Sequence, residues 1–410
     1  MVSTVAWIDY DSEAHQRAQR ILTLFNERET RDELGLGTIR DAIADTLFPG
    51  TSTIQTRLRY MLFLPWVFLD LERRATSAEK MTRRARAAQL KLAEYLGENC
   101  PDETGNIGGE AGKGLKRLPS DVYWTGLGTW GIRLFPGTEG QYRRALDHIY
   151  RRRKRNSLRR SKAAEEGDDV GGLWEQAATT WHPGIPAPPD DFPEGADFRL
   201  RREEAHYLQE RVRHACPDSL LTDLLAEPMA VQITEPWDHP GIADFRADHR
   251  RLLDHAHNFA LVAQGAALLY NILLAELRGS EELAEKHRAS GSHWGDRVDA
   301  RLDELIGWAD QLDKFWLQVA DRGHAIGPRT VSFVTDWVAE LVRHRRAVFD
   351  DPRARRLVRD REIEKKRANS RFTNKRVLDQ WGGSSGLQLF TYRWDVVQGY
   401  VEDTARALGR

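Results

Sequence analysis

Ile39-Arg40-Asp41-Ala42-Ile43-Ala44-Asp45-Thr46-Leu47-Phe48-Pro49-Gly50-Thr51-Ser52-Thr53-Ile54-Gln55-Thr56-Arg57-Leu58-Arg59-Tyr60 reads as helix, tight turn, helix, and sets the expectation of a mainly α fold. Ile39, Ile43 and Leu47 recur at helical spacing, which predicts a helix over Thr38–Phe48 with those three inward. Pro49-Gly50 stops it. Ser52 and Gln55 form a capping-box pattern, in which each side chain satisfies a backbone N–H of the other. A second helix is therefore expected from Ser52 to about Leu64, where Pro65 should kink or end it by removing an N–H and crowding the preceding turn. In a DNA-binding helix-turn-helix the second helix offers its first polar residues to base edges. Thr53, Gln55, Thr56, Arg57 and Arg59 are the right chemical types for that. An ordinary helical hairpin, with Arg57 and Arg59 in surface or inter-domain pairs, fits the same residues.

Outward from this stretch, Ala6–Tyr10 alternates like a short strand and Ser12–Glu29 like an amphipathic helix. Met81–Leu96 places Ala85, Ala88, Leu92 and Leu96 on one helical face. Glu98–Pro119 is Gly-rich and polar and reads as a loop, and Gln141–Lys162 begins as a strongly basic helix. Glu165–Pro193 holds a Pro-rich run and is the best domain boundary. The expected partition is an N-terminal helical domain over 1–163, a Pro-rich linker over 164–197 and a C-terminal helical bundle over 198–410. In that bundle, helices are predicted over Arg199–Ala215, Ala243–Arg278, Asp296–Ala320 and Pro328–Phe349. The inward set of Asp296–Ala320 is Val298, Leu302, Leu305, Ile306, Ala309, Leu312, Trp316 and Val319. Gly265 marks either a break in a long helix or a close helix contact. Gln380–Arg410 carries a Gly/Ser loop and a final helix.

Composition bounds the function classes. With 61 Lys+Arg against 62 Asp+Glu the chain is not uniformly basic, so any polyanion site must be a local patch. Cys100 and Cys216 are the only cysteines, too few for a zinc site of their own and read as reduced thiols. The N-terminus lacks the basic start and apolar run of a signal peptide, so a cytoplasmic protein is expected. The most apolar run, Tyr60–Leu69, is about half the roughly 20 residues a membrane span needs.

Two basic blocks stand out. Arg143, Arg144, Arg151, Arg152, Arg153, Lys154, Arg155, Arg159, Arg160 and Lys162 face one acid, Asp147, within 143–162. Cations at this density neutralise phosphates and release counterions. Arg353–Arg376 is basic too, with Asp360, Glu362 and Glu364 interspersed. Catalytic patterns fail. Gly108–Gly114 lacks the first Gly of a phosphate loop and has Gly114 where Ser or Thr should hold magnesium. His255 and His257 are two apart and do not share a helix face. Ser384-Ser385 lacks a nucleophile elbow. Trp124, Trp130, Trp381 and Trp394, among 13 tryptophans, could stack bases but read better as core anchors.

Trp7-Ile8-Asp9, Asp32–Gly37, Ile39-Arg40-Asp41, Leu47–Tyr60 and Pro65-Trp66 together resemble an uncharacterised bacterial family, domain of unknown function six-three-six-one. Lys116–Ser120, Tyr123-Trp124, Leu268–Asn271 and Tyr392–Trp394 extend the resemblance over nearly the whole chain. It implies a place beside helicases, phospholipase-D-like nucleases or methyltransferases in phage-defence gene clusters, and carries no catalytic residues. The expectation is a non-catalytic, nucleic-acid-contacting subunit of a bacterial antiviral complex. Its partners would be DNA, duplex rather than single-stranded, and an operon-encoded helicase or nuclease, with no cofactor, metal, membrane or small-molecule substrate. The rivals are a structural adaptor that never touches DNA, and a metal-dependent nuclease with a dispersed site drawn from Asp244, Asp248, Asp254 and His255.

Overall fold

The computed structural model describes residues 32–166, 179–320 and 324–410, and among them the regular structure is helical, with no strand. The expected strand Ala6–Tyr10 and helix Ser12–Glu29 lie outside the described residues. The chain divides into two compact units, 1–43 with 251–392, and 44–250 with 393–410. The division does not follow the expected partition at 164–197. The described part of that supposed linker packs inside the second unit. Trp66 Nε1 donates to the Pro186 carbonyl at 2.8 Å, and Phe192 stacks on Phe63 with centroids 5.9 Å apart.

Helix α1, Gly37–Leu47, begins where Asp32 accepts from the Leu36 and Gly37 N–H groups at 2.7 and 2.9 Å. It ends at Pro49-Gly50 as the sequence predicts. Gly50 has φ +81° and a Cβ there would lie 2.5 Å from Trp130 Nε1, so both backbone and space require glycine.

The second helix of the expected hairpin is misplaced by eight residues. Helix α2 is Tyr60–Arg73, not Ser52–Leu64. Half the capping box forms, with the Ser52 N–H donating to Gln55 Oε1 at 3.1 Å. The next backbone donors are then taken by tertiary partners: Thr56 N–H by Tyr123 Oη at 2.8 Å and Leu58 N–H by Asp403 Oδ2 at 3.2 Å. These bonds compete with a helical ladder and hold 51–59 as a turn. Pro65 lies inside α2 without ending it. Tyr60 through Phe68 are all buried, and packing against the neighbouring helices outweighs the one lost backbone bond.

Around α2 in the second unit stand α3 (Ala78–Asn99), α4 (Pro119–Thr129), α5 (Glu139–Glu166), α6 (Arg202–Ala215), α7 (Leu220–Ala226) and the terminal helix, Trp394–Leu408. Phe68, Trp124, Tyr142 and Trp181 form one aromatic cluster with centroids 5.4–6.1 Å apart. At its edge the buried Glu72 carboxylate accepts from Tyr142 Oη at 2.5 Å, Thr180 Oγ1 at 2.7 Å, Trp181 Nε1 at 3.1 Å and Arg153 Nη1 at 2.7 Å.

The first unit is built on α8, Ala247–Arg278, which is apolar nearly all round from Leu252 to Ala275. By length and composition α8 could cross a membrane, but most of its apolar stretch is buried, as in a core helix. Indoles from two other helices grip its carbonyls: Trp294 Nε1 donates to Leu261 O at 2.8 Å and Trp337 Nε1 to Val262 O at 2.9 Å. The predicted helix 296–320 is three pieces: the end of α9 (Glu281–Ala300), α10 (Leu302–Ala309) and α11 (Leu312–Ala320). The breaks shift its register, so Trp308 and Phe315 are buried where Ile306 and Trp316 were expected. Helix α12 is Pro328–His344, followed by a 3-10 turn over Arg345–Phe349, and α13 is Pro352–Lys366.

Candidate nucleic-acid interface

The five residues expected to read base edges are mostly turned inward. Only Thr53 is exposed. Gln55 is 3% exposed and spans Gly50 O, Ser52 N and Tyr400 Oη. Thr56 donates to Gly105 O at 2.7 Å. Arg57 is held by Glu103 at 2.8 Å and Asp403 at 3.2 Å. Arg59 is buried between Glu204 and Asp197 at 2.8 and 2.5 Å. The reading of Arg57 and Arg59 as paired groups in a helical hairpin describes this geometry; an offered recognition helix does not.

The basic run on α5 behaves differently. Leu146 and Tyr142 seat the helix, and Arg153 turns inward to Glu72. Arg143 lies 3.7 Å from Glu139. Arg151, Lys154 and Arg155 are exposed and Arg152 is half-buried. Arg159 and Arg160 sit on the last turns of α5, with side chains outside the described residues.

Helix α3 packs against α5 and adds cations that the sequence reading did not single out. Asp147, the one acid of the basic block, accepts from the Ala78 N–H at 3.1 Å and so caps the start of α3. At about 1.5 Å rise per residue, Lys80 and Arg151 each lie within roughly a turn of that contact. Lys80 and Arg83 are exposed, as is Arg73 at the end of α2. Among the described residues none of Arg73, Lys80, Arg83, Arg151, Arg152, Lys154 and Arg155 has a carboxylate within 4.0 Å. Acids on the same elements include Asp70, paired with Arg74 at 3.0 Å, Glu72 and Glu139, set against Arg153 and Arg143, the capping Asp147, and exposed Glu79. The signal for the α3 cations was a basic helix face diluted by Ala and Thr, which only the packing joins to α5.

Much of the second basic block is paired, mostly with carboxylates of other elements. Arg353 lies 3.1 Å from Glu340, Arg359 3.1 Å from Asp360, Arg361 3.2 Å from Glu364, and Arg355 pairs with Glu276. Lys366 and Arg371 converge on buried Glu33 at 2.8 and 2.9 Å. This block ties helices together.

Among the described residues the dispersed nuclease set forms no metal-type cluster. Asp244 and Asp248 belong to the second unit and are exposed, Asp248 pairing with Arg246 at 2.8 Å. Asp254 is exposed on α8. His255 Nδ1 accepts from Trp308 Nε1 at 2.8 Å, which makes it a core acceptor. Burial, then Arg301 and Arg297, push the His257 imidazole down to about 3, so it stays neutral near pH 7. The tryptophans are anchors: Trp124 donates to Gly137 O, Trp130 to Pro49 O and Trp394 to Ile233 O, and Trp381 is buried.

No curated protein and no solved structure matches the chain. One family does, over residues 2–148 and 167–408, so the arginine-rich stretch 149–166 falls outside the match. The chain belongs to the family of unknown function DUF6361.

Proposed function

We propose that this protein is a non-catalytic, nucleic-acid-contacting subunit of a bacterial antiviral complex, and that the exposed cations of α3 and α5 hold the phosphates of duplex DNA. The observation that carries the contact is the absence of carboxylate partners around Arg73, Lys80, Arg83, Arg151, Arg152, Lys154 and Arg155 among the described residues. Several basic residues elsewhere are paired instead, as at Glu340, Glu33 and Glu204. Unpaired guanidinium and ammonium groups on adjacent helices attract a polyanion without reading its sequence. The antiviral setting and the helicase or nuclease partner rest on the family resemblance.

The test is binding of a labelled duplex across a salt series. Log affinity should fall linearly with log salt at about −0.9 per phosphate engaged, so four contacts weaken binding by roughly 100-fold between 50 and 200 mM salt. The triple substitution Arg151→Glu, Lys154→Glu, Arg155→Glu should lower affinity and flatten the slope by about 3. These side chains are exposed, so the fold should be unaffected. Binding that ignores salt, or survives the triple charge reversal, removes the phosphate role. Capture of a protein partner without any DNA shift would select the adaptor reading.

A further inference from the structure

The geometry points to a divalent transition-metal site in the first unit, formed by Glu340 and His344 of α12 and Asp351 at the start of α13. Glu340 and His344 are four residues apart and share one face of α12, a spacing that brings two ligands together. The 3-10 turn over Arg345–Phe349 then delivers Asp351 to the same point. The three donor atoms lie within 4.8 Å of one another.

Their separations suit a metal better than a hydrogen bond. His344 Nε2 is 3.4 Å from Glu340 Oε2 and 3.6 Å from Asp351 Oδ2. A charged imidazole donating to a carboxylate would sit at about 2.7–2.9 Å. Ligands bound at about 2.0–2.2 Å in a tetrahedron are instead roughly 3.3–3.6 Å apart.

A second observation concerns one oxygen. Glu340 is 1% exposed, and its Oε2 is buried yet accepts no hydrogen bond. A buried carboxylate oxygen with no donor is costly and calls for a partner. Its twin Oε1 is already engaged by Arg353 Nε at 3.1 Å and lies 3.5 Å from Arg343 Nη1. Asp351 is divided in the same way. Its Oδ1 accepts from the Arg353 and Ala354 N–H groups at 2.9 and 2.8 Å, leaving Oδ2 directed at His344. Each carboxylate thus has one oxygen fixed by the protein and one aimed at a common point, which is how outer contacts orient metal ligands. His344 is 31% exposed, so a fourth position is open to water. One imidazole and two carboxylates suit Zn2+ and its first-row neighbours. The two arginines temper the pull on a dication and disfavour hard, weakly held ions.

The full-length protein, stripped with chelator and dialysed against micromolar Zn2+, should retain one zinc per chain by elemental analysis. His344→Ala and Asp351→Asn should each lose it. Asn retains the capping oxygen, so Asp351→Asn leaves the start of α13 intact and reports on the ligand alone. His148→Ala, at an exposed histidine of α5, should keep full occupancy. Failure of the wild type to bind zinc, or unchanged binding in either ligand variant, overturns the assignment.

Discussion

Arg59→Ala is expected to destabilise the second unit by about 3–5 kcal/mol, read as a lowered midpoint in denaturant unfolding. The guanidinium is 4% exposed and binds Glu204 in a fork, Nε to Oε2 at 2.9 Å and Nη2 to Oε1 at 2.8 Å. Nη1 adds the Asp197 carboxylate at 2.5 Å and its carbonyl at 2.9 Å. Truncation removes all four bonds and strands the Glu204 carboxylate, which is 1% exposed. Glu204 also accepts from the Arg201 N–H at 3.0 Å, so the start of α6 shares the loss. The cost comes mostly from the orphaned charge rather than from the pair itself. The double variant Arg59→Met, Glu204→Gln should therefore recover much of the stability lost in Arg59→Ala. Wild-type unfolding by Arg59→Ala would place this side chain at the surface, and would revive a base-reading role.

Gly265→Val should lower the stability of the first unit by about 3 kcal/mol, at the upper end of what overpacking a core costs. A Cβ at Gly265 would lie 2.3 Å from Trp294 Cζ2 and 2.8 Å from Cε2. The indole cannot retreat freely, because its Nε1 is bound to Leu261 O one turn back on the same helix and its ring packs on Phe349 at 5.0 Å. Gly265→Ala separates this account from a simple helix break. At an unconstrained helical position alanine would stabilise by up to about 1 kcal/mol. Here it should destabilise, and a Gly265→Ala protein more stable than wild type in the same unfolding experiment would refute the close contact.

Helix type was legible because periodicity is local. The Ile39–Leu47 and Val298–Val319 patterns both proved helical. Helix limits were not, because distant side chains set them. Nothing near Ser52 announces that Tyr123 and Asp403 will take the N–H groups of Thr56 and Leu58. The same holds for charge. The runs 143–162 and 353–376 are both arginine-rich as text, the second with acids interspersed, and only folding shows that Glu276, Glu340 and Glu33 also meet the second run. The Glu340–His344 pair had helical spacing in the sequence, but its third member arrives through a 3-10 turn that periodicity does not forecast. Gly265 was legible as a question, and Trp294 answers it as contact rather than break.

Arg153 ties the arginine-rich stretch to the part of the chain shared with the family. It belongs to 149–166, outside the match, whereas its counter-ion Glu72 and the companions Tyr142, Thr180 and Trp181 lie within it. Excising that stretch would leave a buried anion attended only by neutral donors. Removing the segment while Glu72 stays should therefore cost stability, and an uncharged residue at 72 should offset that loss.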